Sequence, residues 1–150
     1  MVKTYLLDVN VALALGWAGH AHHRPVVEWF RAEGQHSFAL CTITEAGFVR
    51  LLSSATITGE VVPMGEAREI LAGLAELPGY HFWPLERTFL EMTAPFEGRL
   101  HGYRQVSDAV LLGLAVERQG SVATLDSALR HLAGPGFAEH VTLVREVTAG

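Results

Sequence analysis

KTYLLDVNVALA, residues 3–14, decides the fold: a short apolar run stops on Asp8, and apolar residues resume after Asn10 with helical spacing. The pattern predicts a buried strand whose last residue delivers a carboxylate, followed by a helix over residues 11–17 with Asn10 as its N-cap. The position of Asp8 carries weight because aspartate is scarce. Against thirteen glutamates the chain has three aspartates, Asp8, Asp108 and Asp126, and each stands where a strand or loop hands over to a helix.

Beyond this opening, strands and helices are expected to alternate. SFALC (37–41) reads as a second buried strand, and the next helix, over residues 43–54, carries a Thr42–Glu45 capping-box spacing. Residues 56–63 read as a loop or helix end, 65–77 as a helix closed by Pro78-Gly79, and 80–85 as a third strand. Residues 97–105 form a polar loop. The helix over 107–118, SDAVLLGLAVER, leads into a fourth strand at 121–125 that ends on Asp126, and 141–144 supplies the last strand. Near-continuous apolar strands separated by helices indicate an α/β fold with a mainly parallel sheet covered on both faces. Ligands in such sheets sit beyond the carboxyl ends of the strands, where Asp8 and Asp126 fall.

With 150 residues, 49% of them hydrophobic, and a mean hydropathy of +0.24, one domain over residues 1–150 is expected. Cys41 is the only cysteine, so no intramolecular disulfide forms and a reducing, cytoplasmic setting is expected. Asp8 and Asn10 interrupt the apolar N-terminus well short of the ~20 residues of a membrane span. A net charge of −5 argues at first against a nucleic-acid partner. Setting four carboxylates aside as one metal site leaves −1, and divalent cations offset the site itself.

Two further acids face inward on helical spacing. Glu45 shares a stripe with Phe48, Val49 and Leu52, and Asp108 shares one with Leu111, Leu112 and Ala115. An acid on a packing face is costly unless a charge or hydrogen bond meets it. Each acid, taken singly, is equally explained as a helix cap or first-turn residue stabilised by free N–H groups. Taken together, three aspartates and one inward glutamate at one sheet edge suit a hard divalent cation such as Mg²⁺ or Mn²⁺. The residues alone leave both readings open.

In order and spacing, LLDVNVALAL, TITEAGFVRLL, VSDAVLLGLAVERQG and SVATLD resemble the PIN-domain ribonucleases, and more narrowly the VapC-type toxins of bacterial toxin-antitoxin pairs. The resemblance runs from Lys3 to about Val144. It implies a three-layer α/β/α sandwich, and a catalytic, metal-binding quartet of Asp8, Glu45, Asp108 and Asp126 holding Mg²⁺ or Mn²⁺. Asn10 and Thr124 would orient these acids or water. The implied activity is metal-assisted hydrolysis of RNA phosphodiesters that inhibits translation, by a homodimer controlled by an antitoxin protein. Arg99, Tyr103 and Arg104, in the polar loop before Asp108, are candidate RNA contacts through phosphate or stacking. His20, His22 and His23 lack partners at a usual metal-ligand spacing and read as a solvated loop near the rim.

Two other classes compete. A phosphatase of the haloacid-dehalogenase type would start D-x-D, where this chain has Asp8-Val9-Asn10, and a receiver-type module would need a late lysine, whereas the only one is Lys3. A non-catalytic RNA-binding module would not need the acids.

Overall fold

The computed structural model describes residues 2–144; residue 1 and residues 145–150, the ends of the expected domain, lie outside the described residues. Five strands form one parallel sheet: β1 (Tyr5–Leu7), β2 (Phe38–Leu40), β3 (Tyr80–Phe82), β4 (Ser121–Thr124) and β5 (Val141–Leu143), in the order β3-β2-β1-β4-β5. The first strand is therefore central, and the direction of winding reverses beside it. The gap past the ends of β1 and β4 is the switch point at which open parallel sheets bind ligands.

Successive strand residues point to opposite faces, and the two apolar layers follow that alternation. Leu6, Ala39 and Val122 share one face, buried under α6 (Phe89–Thr93), α7 (Val106–Glu117) and α8 (Ala128–Ala133). Leu7, Phe38, Leu40 and Ala123 share the other, under α1 (Val9–Gly16), α2 (His23–Ala32), α3 (Thr42–Leu52) and α5 (Met64–Ala75). The result is the α/β/α sandwich. No helix among the described residues is long and apolar enough to cross a membrane.

Several boundaries differ from the sequence reading, each for a local reason. Asp8 rather than Asn10 caps α1: its backbone is extended (φ −66°, ψ 157°), its side chain accepts from the Val9 N–H, and its carbonyl accepts the first helical bond from Ala12. At α3 the Thr42–Glu45 capping box is not used. Thr44 instead turns its hydroxyl back to the Cys41 backbone, accepting from its N–H at 3.0 Å and donating to its carbonyl at 2.9 Å. Residues 56–63 include a one-turn helix, α4 (Ala55–Thr58), ended by Gly59 at φ +72°. The polar loop at 97–105 is wound into 3₁₀ turns at Ala94–Arg99 and Tyr103–Gln105.

The helix carrying Asp108 is fixed in place by a close approach. A Cβ on Gly113 of α7 would lie 2.3 Å from the Met92 carbonyl oxygen of α6, a backbone atom that cannot rotate away. Overpacking against a backbone atom lies in the upper part of the usual range, about 2–3 kcal/mol, against which alanine's better helix propensity returns about 1 kcal/mol, a net loss of about 1–2 kcal/mol. Gly113→Ala is thus expected to lower Tm by about 2–8 °C, at roughly 2–4 °C per kcal/mol for a chain of this size. Thermal denaturation checks it; an unchanged or higher Tm would show that the two helices separate without cost.

Candidate functional site

A cavity of about 690 Å³ opens at the switch point. Asp8 enters it from the end of β1, Asp108 from the first turn of α7 and Asp126 from just past β4, with Asn10, Ser107, His20, Arg50 and Arg104 also in the lining. Three acids separated by up to 118 positions therefore share one space.

Thr124 ties them together. Its hydroxyl donates to Asp8 Oδ2 at 2.7 Å and accepts from the Asp126 N–H at 3.1 Å and from Asn10 Nδ2 at 3.4 Å. Asn10 Oδ1 in turn accepts from the Leu125 N–H at 3.2 Å, and Asp8 Oδ1 accepts from the Val9 N–H at 2.7 Å. Each oxygen of the 8% exposed Asp8 thus has one donor and keeps a lone pair for the cavity. Asp126 uses Oδ1 to accept from the Ala128 N–H at 2.9 Å, capping α8. The capping role and the placement in a shared cavity, alternatives in the sequence, coexist at Asp8 and Asp126.

Charge is stored here at a cost. Burial pushes the Asp108 carboxyl from 3.8 up to about 6, with the charges of Asp8 and Asp126 adding to the shift. Asp8 is also raised, by burial first, although its bonds from Thr124 and Val9 pull the other way.

Glu45 is not brought to this cavity. The stripe of α3 that faces it is Ile43, Ala46, Gly47, Arg50 and Leu51, whereas Glu45 opens into a neighbouring groove with Val49, Ser53, Met64, Arg68 and Leu71. The inward stripe assigned to Glu45 in the sequence is the one that packs Phe48 and Leu52 against the sheet, and a helix side chain cannot serve both faces. Burial raises the Glu45 carboxyl.

The basic loop divides as well. Arg104 lines the cavity, its Nε donating to the Tyr103 hydroxyl at 3.3 Å, and its guanidinium lies 5.7 Å from the Tyr103 ring centre. Tyr103 is 81% exposed. Arg99 turns elsewhere, its guanidinium filling the space over Gly134. Sequence reasoning missed Arg50, although its spacing of three and seven from Gly47 and Ile43 was there to be read. It also left His20 at the rim, where the fold brings it into the lining; its Nδ1 accepts from the His22 N–H at 3.0 Å.

A family model described as PIN domain matches residues 5–135. Ribonuclease VapC39 of Mycobacterium tuberculosis (strain CDC 1551 / Oshkosh) is 35% identical over 136 residues, covering 91% of this chain and 98% of its own length. Ribonuclease VapC38 of strain ATCC 25618 / H37Rv is 37% identical over 128 residues (85% and 89%), and Ribonuclease VapC44 of the same strain is 34% identical over 131 (87% and 92%).

The Asp108 shift has a consequence for stability. Between the unfolded value of 3.8 and the folded value of about 6, the folded chain binds more protons, so this group makes the metal-free protein less stable as pH rises through that window. Asp108→Asn, measured in EDTA, is expected to raise Tm at pH 7.5 by about 2–4 °C, about 1 kcal/mol after discounting for partial exposure. The gain should vanish at pH 4, where the wild-type carboxyl is protonated in the folded state. An equal gain at both pH values would remove electrostatic strain as its cause.

Proposed function

Because this chain belongs to the PIN-domain family and to its VapC ribonucleases, we propose that it is a metal-dependent endoribonuclease that hydrolyses RNA phosphodiester bonds. It acts as the toxin of a toxin-antitoxin pair and inhibits translation in the cytoplasm. The observation that carries the reading is the convergence of Asp8, Asp108 and Asp126, from three separate elements, on one cavity at the sheet's switch point.

The lining suits a hard divalent cation. Its acids offer only oxygen, and the sole cysteine is buried in the core layer on the α7 face. Among the described residues no three His, Cys, Asp or Glu side chains close on one point tightly enough to hold an ion. Mg²⁺, and Mn²⁺ with similar ligands, is held by a few carboxylates and keeps several waters in its shell, which suits acids spaced around a cavity. Asp8 and Asp108 are the assigned direct ligands. When bound, the ion polarises the phosphodiester and lowers the pKa of water.

The chain's own residues do the positioning. Thr124 and the Val9 N–H fix the Asp8 carboxylate so that it need not reorganise, and Asn10 holds Leu125, and with it the approach to Asp126, in register. Asp108, held near neutrality by burial and by its acidic neighbours, would have to be ionised to serve as a ligand, which ties cation binding at this residue to pH. Among the described residues no donor meets Asp126 Oδ2, which leaves that oxygen to orient water or substrate. Arg104 offers a phosphate contact from the cavity wall and Tyr103 an exposed ring on which an unpaired base can stack. Arg99, packed on Gly134, would reach RNA only after leaving that contact.

The partners are an RNA substrate, a second copy of the chain and an antitoxin.

The test is cleavage of cellular RNA by purified protein, with cut ends mapped. Asp8→Asn and Asp108→Asn are expected to lower the rate by at least about 100-fold, and EDTA to abolish it until Mg²⁺ or Mn²⁺ is restored. Glu45→Gln, outside the cavity, should stay within about threefold of wild type. Wild-type cleavage by Asp8→Asn would overturn the reading.

A further inference from the structure

Helix α3 presents a cation to the acidic cavity, beside the groove into which Glu45 opens. Along its cavity-facing stripe Ala46 and Gly47 are small, and a Cβ on Gly47 would lie 2.7 Å from Val9 Cγ2, so this part of the wall has no room for a longer side chain. One turn further, Arg50 is the only ionisable residue of the stripe, and its side chain is exposed.

Arg50 has no protein acceptor to explain it. Three carboxylates line the same cavity, yet among the described residues neither Arg50 nor Arg104 pairs with any acid; the ion pairs are Arg24 with Glu28, Arg87 with Glu91 and His140 with Glu139. A guanidinium with no partner keeps five N–H donors in a fork that matches two phosphate oxygens. A phosphodiester approaching three carboxylates is repelled unless cations offset them. Arg50 also lines the adjoining groove, where Arg68 is the next basic residue, so it stands at the boundary between the cavity and a path leading from it.

Resting on the nuclease reading above, we propose that Arg50 is a substrate-binding residue that grips an RNA phosphate at the mouth of the acidic cavity. The α3 wall thereby contributes a phosphate contact facing the carboxylates of Asp8, Asp108 and Asp126. Arg104 supports the strand from the α7 side, and the single strand leaves the cavity along the groove toward Arg68.

The experiment measures binding of a fluorescein-labelled single-stranded RNA to full-length Asp8→Asn protein, with and without Arg50→Ala, over a series of salt concentrations. Loss of one charge-assisted contact is expected to weaken binding about tenfold and to reduce the slope of log affinity against log salt by about 0.7. Tm should not change, and Arg50→Lys should recover the slope. In the cleaving background, Arg50→Ala should raise KM by a similar factor. An Arg50→Ala protein with wild-type affinity, or with weaker binding at an unaltered slope, overturns the assignment while leaving the nuclease reading intact. A wild-type protein that cuts no RNA with Mg²⁺ or Mn²⁺ removes both.

Discussion

The hydrogen bond from the Thr124 hydroxyl to Asp8 Oδ2 is the constraint on which the cavity depends. It joins the carboxyl ends of the two strands that flank the switch point, and the Thr124 hydroxyl oxygen also accepts from the Asp126 backbone N–H and from the Asn10 side-chain amide. A carboxylate buried this deeply is tolerated only when its charge is met by donors. Here they come from residues that also fix where the chain turns after β1 and β4. The geometry of the acids is therefore set by the strand ends rather than by flexible loops, which is the kind of preorganisation a catalytic centre requires.

Against that rigidity stands mutual repulsion. Asp108 meets the charges of Asp8 and Asp126 in a space that burial has already made unfavourable for anions, and its carboxyl is held near neutrality as a result. Stability is given up at the site and recovered in the two apolar layers, where the sheet is sealed on both faces by helices. A divalent cation held there would offset most of this negative charge and, binding the folded chain alone, would stabilise it.

Much of this was legible in the residues. Apolar strands of three to four residues between helical stretches gave the parallel sandwich, and the scarcity of aspartate singled out three positions that the fold gathers. Glu45 opens into the groove beside the cavity, a distinction that spacing could not draw because an amphipathic helix between two layers has more than one significant face. Spacing alone said that Glu45 shares a stripe with Phe48 and Leu52 but not that this stripe packs on the sheet while Gly47 and Arg50 turn to the cavity. The cap at α1 was read two residues late because Asp8 ends a strand and starts a helix at once, leaving no loop between them. Arg99 and Arg104 look equivalent in a polar loop; only the 3₁₀ winding, set by tertiary contacts, sends one to Gly134 and the other to the cavity.

The central strand comes first in the chain and one of its neighbours comes late: Tyr5 pairs with Ser121, Leu6 with Val122 and Leu7 with Ala123. During synthesis Asp8 leaves the ribosome well before Asp108, Thr124 and Asp126, and waits for them. Synthesis proceeds from the N-terminus, and pairings this distant in sequence form slowly. A nascent chain that has not yet reached β4 therefore lacks the assembled cavity, whatever else it has folded.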